Sequence, residues 1–448
     1  MVQQTTNNRR HDYYKDSARS WLVAVACTWC FFWTMIINRC GGIVFITLIS
    51  EFGASRETAS WPFSLLGAVS NLFGVVSGFM IRSLPLRTVS LMGSTLTATG
   101  ILLCAVFYNV TAITFCLGII TAIGQGMIFP SNMIAINTFF SKYRASGSGI
   151  SYVGSTLVSF VFPPILLVLH STYGLRGTFL IVGGLSLNAI AGSLFITRPE
   201  DLLQTPRREM PLTESNGTNS GKPEAEKLSK PQQTLASRLK DNFVFVQRPI
   251  YYVIVVTGVV YAYVLVLFNV TIVDYTVGKG YSKMESATLL SCYGSGDLVG
   301  RIFSGQLSDR KLCRRRDVMA AAFLLTSGAM TAIALSNGLA LLATSSILYG
   351  IASGSTIILF SVLLVEYFGI QHLPLAIGMH CLANGLLALP RPLLIGYYKD
   401  RGGSYEGLYF TLAATSLLVS VVWAIECFVQ CLRERRKRHG CVPQDEET

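Results

Sequence analysis

Asp297 and Arg301 stand four residues apart in an otherwise apolar run, so a helix presents both on one face. Arg39 and Arg391 are the other two cations that fall inside apolar runs of spanning length. One such charge at a helix centre costs about 2.5 to 3.5 kcal/mol in a bilayer, and charges kept there normally pair or line a water-filled path. Arg39 has no acid beside it in sequence, and an unpaired cation wants an anion. A guanidinium stays protonated and grips a carboxylate with a two-pronged fork, whereas Asp297 can exchange a proton. The chemistry these residues suit is therefore binding of an anion by Arg39 and Arg301, with Asp297 beside Arg301 facing a water-filled cavity. Two structural alternatives stand beside it: an intrahelical Asp297–Arg301 pair, and a static cross-bundle pair between Arg39 and Asp297. Asn132 offers an amide to the same cavity. Arg391, in Leu389-Pro390-Arg391-Pro392, is either a second substrate contact or a cation near the outer helix end that snorkels to the interface.

The elements that must position these charges are helices in lipid. The chain has 448 residues, 51% hydrophobic and only 13% charged, with a mean hydropathy of +0.49, against roughly a quarter charged in soluble domains. Soluble enzymes, disordered scaffolds and secreted disulfide modules fit this poorly. Apolar runs lie near 21–49, 60–81, 88–108, 112–137, 148–169 and 178–196, and again near 251–273, 286–307, 318–336, 338–365, 375–397 and 407–431. The expected architecture is all-α, with twelve transmembrane helices in two six-helix bundles over 20–197 and 250–431. A Pro-, Ser-, Glu- and Lys-rich stretch at 198–249 reads as a disordered cytoplasmic linker. Residues 1–19 and 432–448 read as cytoplasmic tails, with no cleaved signal peptide in the polar opening. A 6+6 plan suits a repeat-built carrier whose halves rock around a midplane site. The pairs Gly74/Gly78, Gly296/Gly300 and Gly350/Gly354 read as helix-packing positions.

The net charge of +12 would suggest a nucleic-acid partner in a soluble protein, but here the basic residues mark a membrane side. With both termini inside, 27 Lys and Arg fall on the cytoplasmic side and 6 outside, and setting aside the nine of the long linker leaves 18 against 6. The eleven cysteines lie mostly in apolar stretches, which suits buried thiols, and Cys27 and Cys30 read as packing. Asn109-Val110-Thr111 matches a glycosylation acceptor on the outer side but sits almost in the membrane, so no modification is expected. No GxxxxGK[ST] motif is present, which excludes an ATP-driven pump of that class. The sequence calls for no cofactor and no metal.

The stretch GSGDLVGRIFSGQLSDRKLCRRR at 294–316 looks like a major facilitator superfamily protein: Gly305, Leu307, Asp309 and Arg310 resemble that superfamily's G-x-L-x-D-R loop. The first-half loop GFMIRSLPLR has the glycine and the basic residues but no acid. Over nearly both halves the chain resembles the monocarboxylate transporter family. Asp16 and Trp21 resemble the family's acid-Gly-Gly-Trp-Gly-Trp start of span one, with the glycines replaced. FFSKYR, with Lys142 and Arg144, resembles the loop into span five, and GLRGTFLIVGG resembles the start of span six. Gly396, Asp400 and Tyr405 resemble the exit from span eleven. The resemblance implies a plasma-membrane carrier of small monocarboxylates of the lactate and pyruvate type, with protons as a possible second cargo. It assigns substrate and proton to Asp297 and Arg301, and gating to Asp309, Arg310, Lys142 and Arg144. Arg39 stands where proton-coupled relatives have Lys, which puts coupling, not carboxylate binding, in question. Some relatives carry larger carboxylates such as aromatic amino acids or iodothyronines, and some travel with a single-span glycoprotein chaperone. A reading from another class is a non-transporting sensor or subunit.

Overall fold

The computed structural model describes residues 16–196, 249–309 and 314–438, and among them the regular elements are helical. The two tails beyond these limits, the expected linker up to residue 248, and Arg310 lie outside the described residues. In the first segment, Ala18–Thr34, Ile36–Arg39 and Gly41–Phe52 make one broken rod, followed by Arg56–Ser83, Leu86–Val106 and a rod from Val110 to Phe139 with one π turn at Cys116–Thr121. The helix Arg144–Ser186 is then interrupted at Gly174, whose φ of 66° lets the chain reverse. In the second segment come Pro249–Gly278, Lys283–Asp309, Arg315–Leu335, a long Leu339–Ala388 interrupted at Gly369 (φ 70°), Arg391–Ile395 with the π turn Gly396–Arg401, and Glu406–Arg438. This order is compatible with six spans on either side of the linker.

Among the described residues, eight helices are by length and composition apolar enough to cross a membrane. The first rod fails that test because it is cut into pieces at Met35 and Cys40, on either side of Arg39. Sequence periodicity predicts one continuous span there. The Lys283–Asp309 helix fails through its own polar content, Asp297 and Arg301 included. The sites of interest are thus the places where the spanning pattern is weakest.

Two glycine pairs on facing helices bring the Lys283–Asp309 and Leu339–Ala388 rods into backbone contact. A Cβ added at Gly296 or Gly300 would collide with the carbonyls of Ile347 and Ile351, and one at Gly350 or Gly354 with those of Tyr293 and Asp297. Small residues allow this approach in lipid, where no hydrophobic effect drives helices together. The close fit fixes the backbone that carries Asp297. By contrast, Gly78 has open space around it and Gly74 only ordinary contacts. Gly354→Ala is expected to destabilise the protein by about 1 to 3 kcal/mol through overpacking, and Gly78→Ala to be near neutral. Thermal unfolding in detergent compares them, and equal midpoints would contradict the reading.

Candidate functional site

Asp297, Arg301 and Arg39 converge. Asp297 is fully buried, Arg301 is 2% exposed and Arg39 7%. Arg301 embraces the carboxylate from its own helix, with Nε donating to Oδ1 at 3.0 Å and Nη2 lying 2.9 Å from Oδ2. Arg39 reaches the same Oδ2 from the first segment at a looser 3.5 Å. Thr156 donates its hydroxyl to Oδ2 at 2.8 Å. Arg39 divides the rest of its fork between the two segments: Nη1 donates to Tyr293 Oη and Nη2 to Ser155 Oγ, both at 3.0 Å. Arg301 Nη1 donates to the Tyr152 carbonyl at 3.4 Å, and the guanidinium lies 5.4 Å from the Tyr152 ring centroid. Two guanidinia on one carboxylate leave the cluster with one net positive charge. That surplus is costly in low dielectric unless an anion or a compensating dipole meets it.

Local structure explains the placement. Helix breaks at Met35 and Cys40 free the short turn that carries Arg39. Tyr293, Asp297 and Arg301 follow one another at intervals of four along one helix, so they form a stripe facing the first segment. The stripe packs on Arg144–Ser186, where Ser159 and Phe160 close over Gly294. Tyr293 could have been found from that spacing. Ser155, Thr156 and Tyr152 carry no sequence signal, because small hydroxyls and single aromatics are common in any span. Beside Tyr152 lies a cavity of about 20 Å³, room for roughly one water, lined by Phe31, Asn132, Ser151 and Tyr152 among others. Asn132 therefore borders the site, with its Oδ1 buried and unpartnered and Nδ2 at 3.5 Å from the Cys27 carbonyl.

Arg391 is not at the interface. It is 2% exposed, with its guanidinium carbon 4.7 Å from the centroid of the Tyr263 ring, so the snorkelling expectation is corrected. The prolines leave the chain in the right-handed helical region at Pro390, and the side chain is directed between Tyr263 and Gly67 instead of along the axis to water. Lys142 is exposed, its ammonium 5.2 Å from the Tyr143 ring centroid. The loop bearing it is held by Asp16, whose carboxylate accepts the backbone N–H groups of Ser141, Lys142 and Tyr143 at 3.3, 3.0 and 3.4 Å. Trp21 packs edge-on against Phe140 at 5.0 Å. Two stretches far apart in sequence thus build one corner. The side chains of Arg144 and Asp309 lie outside what is described. Glu366 is exposed and pairs with Arg315 at 2.8 Å.

A further cluster, on the side the charge tally makes external, went unread in sequence. Arg56 Nε donates to Asp274 Oδ2 at 3.2 Å, and Tyr405 donates to the same oxygen at 2.7 Å. The Asp400 carboxylate accepts the backbone N–H groups of Arg56 and Glu57 at 3.4 and 3.1 Å, so it caps the Arg56–Ser83 helix from the opposite segment. A Cβ at Gly42 would meet the Asn269 carbonyl at 2.7 Å, and one at Gly396 would meet Glu57 at 2.9 Å. This end of the seam is shut.

The sequence profile of the Major Facilitator Superfamily matches residues 22–312 and 266–446. Monocarboxylate transporter 12 of Homo sapiens is 24% identical over 437 residues, covering 96% of this chain and 84% of that protein. Monocarboxylate transporter 4 of Gallus gallus is 26% identical over 423 residues, covering 94% and 85%. Among solved structures, a peptide transporter POT in complex with sulfate superposes with a TM-score of 0.65 at 13% identity, covering 90% of this chain and 93% of that one, a likeness of fold. With helices of spanning character, a buried charge cluster between two segments and these matches, the chain belongs to the Major Facilitator Superfamily of membrane transporters, similar over nearly its whole length to monocarboxylate transporters.

Proposed function

We propose that this chain carries small monocarboxylates across the membrane by alternating access, with the Arg39–Asp297–Arg301 cluster as its binding centre. The observation that carries the reading is the asymmetry of that cluster. Arg301 is tied to Asp297 by two close contacts, whereas Arg39 holds it by one contact at 3.5 Å. Arg39 is thus the exchangeable arm: an incoming carboxylate competes with Asp297 for its fork and neutralises the extra positive charge. Asp297 keeps Arg301 and Thr156, or takes a proton as Arg39 leaves, so coupling to protons runs through Asp297 alone. With Asp297 ionised the loaded centre is neutral and lets the two six-helix bundles rock, because no unmatched charge has to cross a dry seam, whereas a proton taken by Asp297 restores one positive charge. Uptake of labelled lactate and pyruvate into vesicles, with and without an inward pH gradient, tests this. Saturable uptake supports carriage, and stimulation by the gradient supports coupling.

Larger carboxylates draw on one observation, the stacked Phe31 and Tyr152 rings, centroids 5.4 Å apart and 12° between planes, beside Arg301. They offer an aromatic wall to a substrate side chain, and labelled aromatic amino acids in the same assay test that reading.

Outward opening in this mechanism requires the Asp400 cap to let go. Ser55 remains the N-cap of the Arg56–Ser83 helix, and Asp400→Ala removes the cross-seam hydrogen bonds to Arg56 and Glu57, worth about 1 kcal/mol, a factor of about five in population. Val270→Cys, placed at the shut seam beside Gly41, should then react about fivefold faster with an impermeant thiol reagent from outside when Asp400→Ala is added. An unchanged rate would argue against the latch.

A further inference from the structure

His380 and Asn384 stand four apart on the rod that ends at Ala388, Arg391 opens the short helix seven residues on, and all three are buried. Each holds a buried atom with no hydrogen-bond partner: His380 Nδ1, Asn384 Oδ1 and Arg391 Nε. Buried polar atoms in lipid are nearly always satisfied, so three orphans this close along the chain point to a path that serves something other than packing. Arg391 is the sharpest of them. Among the described residues it has no ion pair and no hydrogen bond, and its one specific neighbour is the face of Tyr263, whose hydroxyl donates to the Leu387 carbonyl at the end of the preceding rod. A ring face does not discharge a cation as a carboxylate does.

Its position decides what it could meet. Arg391 Nη1 lies 3.1 Å from where a Cβ of Gly67 would stand, so the guanidinium crosses the seam from the second segment to a helix of the first. Depth follows from neighbours. Tyr261, two residues before Tyr263, is within electrostatic reach of Asp297, Arg39 and Arg301. Gly67 stands three residues, about one turn, before Ser70, which packs on Gly126, itself next to the Gln125 that bonds Asn38. Both routes put Arg391 within about a helical turn of the Arg39 level, on the side of the Arg56–Asp274–Asp400 latch. It is therefore a cation that parting of the latch end of the seam would uncover before the central cluster.

We propose that Arg391 is a second anion site, which takes the substrate's carboxylate when the outer seam opens and passes it to Arg39 and Arg301. The proposal rests on the carboxylate-carrier reading above and extends it to the outer half of the path. Fork geometry suits two carboxylate oxygens, and Tyr263 positions the fork by its ring. Among the described residues no acid pairs with Arg391, so the site releases its ligand to the deeper pair instead of storing it.

The test is uptake of labelled lactate and pyruvate from outside into vesicles containing the full chain, with surface labelling to report insertion. Arg391→Gln should raise the external KM about tenfold, the loss of one charge-assisted contact, with Vmax within about twofold. Arg391→Lys, a point charge without the fork, should raise it about threefold. An unchanged KM in Arg391→Gln overturns the site while leaving the carrier reading intact, whereas no carboxylate uptake by the wild type overturns both. If Arg391→Gln fails to reach the membrane, Tyr263→Leu decides. It keeps the charge but removes the ring, so a KM raised about threefold supports the site and a wild-type KM rejects it.

Discussion

Arg301→Gln and Asp297→Asn are each expected to lower carboxylate uptake at least about a hundredfold while the protein still reaches the membrane in nearly normal amounts. Breaking a buried ion pair from one side costs roughly 3 to 5 kcal/mol, because the surviving charge stays buried without its partner. Arg301→Gln removes the contacts at 2.9 and 3.0 Å and leaves Asp297 with only the 3.5 Å arm of Arg39 and the Thr156 hydroxyl. Asp297→Asn leaves two guanidinia facing each other with no anion between them. Insertion survives both, since a neutral side chain in a spanning helix is less costly than a charged one. Uptake and surface labelling on the same preparation separate the two effects. Full transport by both variants would remove the mechanism.

Arg39→Gln is expected to have an effect of similar size, and Arg39→Lys a different one in kind. The Arg39 fork touches Tyr293 of the second segment, Ser155 of the first and Asp297 at once, so its loss unties the segments at the site as well as removing the exchangeable charge. A lysine supplies one ammonium where two N–H arms now work, and affinity should fall about tenfold. Unlike arginine, a desolvated lysine can lose its proton. Since the neutral amine no longer attracts a carboxylate, uptake by Arg39→Lys should decline between about pH 7 and 9, where the wild type should keep its guanidinium charged. Initial rates across that range check it, and parallel profiles would contradict the assignment of Arg39 to the substrate.

How far the sequence could be read follows from what each feature depends on. Spanning helices are legible because twenty apolar residues leave few alternatives in lipid, and the Asp297–Arg301 stripe is legible because four residues is one helical turn. The meeting of that stripe with Arg39 across the chain was expected from the cost of burying lone charges, and the structure does bring the three together. Breaks flanking Arg39 were not legible from Met35 and Cys40, which are ordinary apolar residues, and the rod resumes at Gly41 and Gly42, packed on Val270 and Asn269. Of the two readings of Arg391, snorkelling failed because prolines nearby suggested a frayed outer end, whereas Tyr263 and Gly67 furnish a niche that no local pattern announces. Asp400 belonged to the exit from span eleven and Arg56 to no motif, and nothing in the sequence said that one would hold the start of the helix begun by the other.

Substrate recognition by charge exchange at the Arg39–Asp297–Arg301 cluster can be tested most directly by competition. Uptake of labelled lactate by the purified chain in liposomes is measured against unlabelled carboxylates and their neutral amides of matching shape. The account predicts that carboxylates compete and amides do not, by at least about a hundredfold in concentration, since only an anion can replace Asp297 at the Arg39 fork. Equal competition by amides, or lactate uptake indifferent to every carboxylate, would contradict it.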